Sequence, residues 1–221
     1  MSNGPDGENP PTSFESNVFI NCPFDEEYKS LLRPLLFTVV YIGCNPRLAS
    51  ERLNSAENRV DKICELIYES KYGIHDLSRL KADEIDEIYR LNMPFELGVD
   101  YGTREHGSEE MGDKKCLILE ENPYEYQKAL SDLSGVDIKN HNNEADEIVR
   151  SVRDWFYETA GFDEADYPKV IWNQFIDFTA DLFEDRLTED IPEGDVVEDI
   201  ERMPVSEYID SVEEWISENV N

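Results

Sequence analysis

From Asn17 onward, short apolar runs alternate with stretches whose apolar residues recur every three or four positions. Val18-Phe19-Ile20 predicts a first strand. Residues 21–25 then read as a turn, with Asp25 placed to cap a helix over 26–41 that Pro34 interrupts. Arg47-Leu48-Ala49-Ser50 predicts a second strand. Val60, Ile63, Cys64 and Ile67 share one face of a helix over 57–70. A third strand covers 72–77, and a charged connection covers 79–91. Asn92 is placed to cap a helix that runs to about Arg104. Lys115-Cys116-Leu117-Ile118-Leu119 is the fourth strand, followed by a helix near 124–133. Val136-Asp137-Ile138 is a weak fifth strand, and 143–160 the last helix of this series.

Five short strands alternating with helices predict an α/β fold with a parallel sheet covered on both faces. Right-handed crossovers make it doubly wound, and the expected order is 2-1-3-4-5, the flavodoxin-like arrangement. Residues 1–16 are polar and rich in Gly, Pro and Ser, and read as a flexible tail ahead of a Rossmann-like domain over 17–160. Residues 161–221 break the alternation. Val170, Ile171, Phe175, Phe178, Leu182 and Phe183 form one helical stripe, and Val205, Tyr208, Ile209, Val212, Trp215 and Ile216 another, with a turn at 191–195 between them. This two-helix appendage either docks on the core or pairs two copies of the chain.

Charge narrows the function. The formal net charge is −31, from 51 acids and 20 bases, of which only nine are lysines. Residues 161–221 hold 19 acids against Lys169, Arg186 and Arg202. Such a surface repels phosphate backbones, so no nucleic-acid partner is expected. Acidic, lysine-poor surfaces suit a halophilic solvent. Neither a signal peptide nor a membrane-length apolar run is visible, so a cytoplasmic protein without a membrane partner is expected. Cys22, Cys44, Cys64 and Cys116 form no C-x-x-C pair, and no histidine lies at ligand spacing from them, so no metal site is expected.

In an open parallel sheet, ligands bind beyond the carboxyl ends of the strands, at the switch in strand order. Residues 21–25, 75–79 and the helix start at Asn92 converge there. In Asn92-Met93-Pro94-Phe95-Glu96-Leu97-Gly98, proline is tolerated in the first turn and the helix dipole favours an ionised Glu96. A carboxylate at that edge suits a glycosidic nucleophile or a ribose ligand, and equally suits a plain dipole complement. Gly98 and Gly102 would let this helix approach the sheet. Asp76 closes the third strand beside Ser78, either to orient a sugar hydroxyl or to bond its own backbone. His75, on the opposite face, reads as a satisfied core or edge histidine. Arg47, Arg59 and Arg79 are each candidates for an anion. No G-x-G-x-x-G, Walker lysine loop, H-E-x-x-H or G-x-S-x-G is present, which disfavours a dinucleotide oxidoreductase, a P-loop NTPase and a serine hydrolase.

Three segments carry a family resemblance: Val18-Phe19-Ile20-Asn21 with Pro23-Phe24-Asp25, Glu69 through Ser78, and Phe95-Glu96-Leu97-Gly98-Val99-Asp100-Tyr101-Gly102. Together they resemble the superfamily joining nucleoside 2-deoxyribosyltransferases to Toll/interleukin-receptor (TIR) domains, in an uncharacterised prokaryotic branch. The resemblance covers about residues 17–160. It implies cleavage or transfer at the bond between ribose and base, with Glu96 as nucleophile and Asp76 as supporting acid. Arg90 stands where the transferases carry another acid, which favours NAD cleavage or nucleotide sensing over deoxyribosyl transfer.

The resulting expectation is a nucleoside, nucleotide or NAD-binding protein acting at an N-glycosidic bond. Glu96 and Asp76 would be catalytic, and Asn21, Phe24, Asp25, Ser78, Arg79 and Asn92 would bind substrate. No cofactor is required, and NAD or a nucleotide would be substrate. The alternatives are a nucleotide sensor that signals through its C-terminal helices, homo-oligomeric or not, and a purely structural protein.

Overall fold

A computed structural model describes residues 14–49, 58–79, 91–123, 126–128, 130–133, 138–188 and 192–220. Several expectations fall wholly or partly outside these residues: most of the tail, Ser50, the helix start at Glu57, the connection carrying Arg90, part of the helix near 124–133, Val136 with Asp137, and Ile191 of the expected turn.

Five parallel strands form one sheet in the order β2-β1-β3-β4-β5. They are β1 (Asn17–Asn21), β2 (Asn45–Arg47), β3 (Tyr72–Asp76), β4 (Lys115–Glu120) and β5 (Lys139–Asn140). The helices are α1 (Lys29–Tyr41), α2 (Arg59–Tyr68), α3 (Asn92–His106), α4 (Ala145–Trp155), α5 (Pro168–Thr188), α6 (Glu193–Arg202) and α7 (Val205–Asn219). The architecture is the expected doubly wound α/β fold.

Strand alternation sorts the core into two faces. Val18, Ile20, Tyr72, Ile74, Leu117 and Leu119 pack with α1 and α4. Phe19 meets Ile63, Leu66 and Ile67 of α2, while Ile118 meets Met93 and Leu97 of α3. His75 and Asp76 therefore reach opposite faces, as their adjacency requires.

Several elements differ from expectation. β2 starts two residues early, because Pro46 pairs with Val18. An edge strand tolerates a proline that donates no ladder bond. Of the helix expected near 124–133, the described residues form short 3-10 turns at Tyr126–Lys128 and Ser131–Leu133. β5 lies later and is only two residues long. The helix over 143–160 is α4 continued by a π-helical segment, Phe156–Ala160, that closes on Gly161 in the left-handed region.

The described residues of the C-terminal segment form three helices, where the sequence suggested two and a turn. Val196 and Ile200, four apart, are buried in α6, and that burial outweighs the Pro-Glu-Gly-Asp turn signal. Ile171, Phe178, Tyr208 and Val212 share the cluster of Leu36 and Phe37. Docking on α1 and α4 is thus how these helices bury their stripes, at about 1.5–3 kcal/mol per fully buried large side chain. Among the described residues, no helix is long and apolar enough to cross a membrane.

With 51 acids against 20 bases, screening should matter for stability. The melting temperature is expected to keep rising from low to multimolar salt. A flat profile across that range would refute halophilic adaptation.

Candidate functional site

In this parallel sheet the N-termini of α1, α2 and α3 all follow strand ends, so they gather at the carboxyl edge. Cys22, just past β1, marks its centre. Burial raises its thiol pKa first, and the charges of Asp76, Glu96 and Asp25 raise it further. Three of the expected acids thus act electrostatically on the Cys22 thiol, although α1 and α3 lie on opposite faces of the sheet.

Glu96 carries the most unusual chemistry. It is 6% exposed, and among the described residues its carboxylate accepts no hydrogen bond. Burial pushes its pKa up to about 7, while the Arg59 guanidinium pulls it down. The sequence led to the opposite expectation, an acid kept ionised by the helix dipole. Asn92 does not cap α3: Leu91 is the cap residue, and Asn92 is exposed in the first turn without a side-chain cap bond. Glu96 accordingly sits in the second turn, where the dipole has faded and desolvation dominates. Arg59→Gln should move the Glu96 pKa further up, since it removes a nearby positive charge. A carbon-13 titration of the carboxyl reads this directly, and a downward or null shift would exclude the coupling.

Asp76 is fully buried and fully engaged. Its Oδ1 accepts from the Ser78 N–H at 2.8 Å and from the Ser78 hydroxyl. Its Oδ2 accepts from the Tyr28 hydroxyl and lies 3.1 Å from His141 Nε2. Asp76 thus makes the local turn bond and also ties α1 to the loop after β5. Burial and the neighbouring Asp76 raise the Tyr28 phenol, which keeps it a donor.

His141 was not foreseen. Its Nδ1 accepts the Asn143 N–H at 3.1 Å, so Nε2 carries the ring proton and faces both Asp76 and Ser78, the latter at 2.9 Å. A histidine that presents N–H to a serine cannot take that serine's proton. Ser78, His141 and Asp76 therefore form a brace and not a hydrolase triad. The available signal was Asn142-Asn143, both with positive φ, just beyond a strand end.

The other expected residues divide. Asn21 is buried, with Nδ2 donating to Met93 O at 2.9 Å and to His75 Nδ1 at 3.0 Å, so it ties β1 to α3. Asp25 accepts from the Tyr28 N–H at 2.9 Å; it caps a turn ahead of α1 and not the helix itself. Arg79 pairs with Glu27 at 3.0 Å and lies 3.5 Å from Asp25. Phe24 is exposed and borders a crevice against Met203 and Val205. Asp25, Asp76, Glu96, Arg79 and Ser78 are thus placed at or near the carboxyl edge, with Asn21 beneath them as a brace.

Beneath the edge runs a second buried network. Because Met93 O can only accept, Asn21 Nδ2 is fixed as donor, so His75 Nδ1 accepts and Nε2 donates to Asp100 Oδ2 at 3.0 Å. Lys114 stands 3.1 Å from Asp100 Oδ1 and donates to Ile67 O at 2.8 Å and to Ser70 O. Burial alone would raise Asp100, but His75 and Lys114 override it and hold its pKa below the ordinary value. Gly73 makes room for this pair, since a Cβ there would collide with Asp100 Oδ2 and press on His75 Nε2. The close-approach glycine is therefore in the strand. Gly98 and Gly102, expected in that role, face open space.

His75, Asp100 and Cys116 place ligand-type atoms within 4.8 Å of one another, although they are far apart in sequence. A cation entering there would have to break the His75–Asp100 bond and displace Lys114.

No family model, curated protein or solved structure matches the chain.

Proposed function

We propose that the protein binds a nucleoside, a nucleotide or NAD at the carboxyl edge of its sheet and acts on the N-glycosidic bond, with Glu96 as the reactive carboxylate. The observation that carries this is a carboxyl group in a largely buried residue, bonded to no protein donor, with its pKa raised by burial to about 7. A desolvated acid poised near neutrality is costly to keep and suits reaction at a sugar carbon. In its ionised form Glu96 forms a bond to the anomeric carbon as the bond to the base breaks, and the base leaves with the electron pair. Water or a second base then releases the sugar. The reading draws on the resemblance of the chain's three segments to nucleoside deoxyribosyltransferases and TIR domains. Asp76, held by Tyr28, Ser78 and His141, positions the loop and does not itself transfer protons.

A sensor without turnover is the second reading, favoured by that same engagement of Asp76. Incubation with NAD, nucleosides and nucleoside monophosphates, at low and high salt, followed by chromatography, separates the two. Free base is expected from at least one of them. Saturable binding with no free base rejects catalysis in favour of sensing.

A further inference from the structure

Of the three arginines that suit an anion by sequence, two are engaged within the chain. Arg47 pairs with Glu69 at 3.5 Å, and Arg79 with Glu27 at 3.0 Å. Arg59 is exposed, and among the described residues it forms no ion pair and donates no hydrogen bond. Every other described arginine does one or the other. In a chain with 51 acids, a guanidinium that pairs with none of them stands apart. Its position is also unfavourable for the fold. Arg59 is the first residue of α2, where the helix dipole disfavours a cation and favours an anion beyond the terminus. Asp61, two residues on, does not share its side of the helix.

α2 and α3 both return from the carboxyl edge, so they run in the same direction. Val99 of α3 packs against the cluster of Ile63, Leu66 and Ile67 on α2. Glu96 lies one turn before Val99, and Arg59 one turn before Ile63, each toward that edge. The guanidinium is close enough to pull the Glu96 pKa down. We propose that Arg59 is a phosphate-binding residue, so that the substrate is a nucleotide, carrying a phosphate on the sugar that Glu96 meets, and not a free nucleoside. The planar fork of a guanidinium matches two phosphate oxygens. Neighbouring helices lie about 8–10 Å apart, a span that a sugar and its phosphate bridge. The inference rests on Glu96 being the group that meets the sugar.

The probes are adenosine, cytidine, guanosine and uridine, each beside its 5′-monophosphate, together with NAD. Binding is measured by calorimetry at one ionic strength in the full chain carrying Glu96→Gln, which spares the ligand, with and without Arg59→Gln. At least one monophosphate, or NAD, is expected to bind about tenfold more tightly than the matching nucleoside. Arg59→Gln should erase most of that preference and leave nucleoside affinity unchanged, and Arg59→Lys should restore part of it. Preference for a monophosphate or for NAD tells which nucleotide supplies the phosphate. Equal affinity for nucleoside and nucleotide, a preference that survives Arg59→Gln, or no saturation by any probe each overturns the proposal. Base release by the parent chain is read separately: its absence refutes catalysis and leaves the phosphate preference standing.

Discussion

Glu96→Gln is expected to lower base release by roughly a hundredfold or more, the scale of a lost acid–base or nucleophilic carboxylate, with substrate affinity retained. The same substitution has a stability signature that a passive surface acid would lack. The carboxyl binds its proton up to a pH of about 7 in the folded chain, against an ordinary value of 4.5. Between those values the folded state holds more protons than the unfolded one, so its stability falls as pH rises through the window. Above pH 7 the charged carboxylate costs stability, by an amount that contact with solvent reduces. Glutamine removes that cost, so the variant should melt above the parent at pH 8 and level with it at pH 4. A parent-like melting temperature at pH 8 would show that Glu96 is not desolvated, and undiminished turnover would show that it is not the reactive group.

The second large effect concerns the buried ion pair. Asp100→Ala leaves Lys114, whose side chain is 2% exposed, without its counter-charge, and leaves His75 Nε2 without its acceptor. Removing one partner of a buried pair typically costs about 3–5 kcal/mol, because the remaining charge cannot reach water. Urea unfolding measures the loss, and a decrease under about 1 kcal/mol would mean that Lys114 escapes to solvent. Leu32→Ala, in the apolar core on the other face, would cost a similar amount by a different route, a cavity and not a stranded charge.

Strand order and the placement of Asp76 and Glu96 were legible because they rest on local pattern and on a general rule of parallel sheets. Apolar runs mark strands whatever they pair with, and ligand edges follow from connectivity. What stayed hidden depends on contacts distant in sequence. The ionisation of Glu96 was judged from its helix position, whereas burial by packing decides it. His141 follows a two-residue strand too short to show a period, and it meets Asp76 across 65 positions of chain. Lys114 looked like any lysine before a strand, yet its ammonium reaches back to carbonyls of Ile67 and Ser70. The strand glycine at 73 gave no sign of its role, since what it accommodates is a carboxylate from another element. Helix α6 was masked by turn residues at its own first turn.

The outer side of α1 has a consequence for how the chain reaches this state. Arg33 donates to Ile200 O and Lys29 to Glu201 O at 2.8 Å, closing the last turn of α6 from 167 and 172 positions away. Phe37 is covered by Phe175, Phe178 and Trp215 from the same late segment. During synthesis, a helix made early must therefore wait for nearly the whole remaining polypeptide before its apolar side is sealed. Closure over such long spans slows folding and lengthens the life of species with exposed aromatics. Once that late segment is made, its 19 acids against three bases add mutual repulsion between chains not yet closed, which opposes their aggregation.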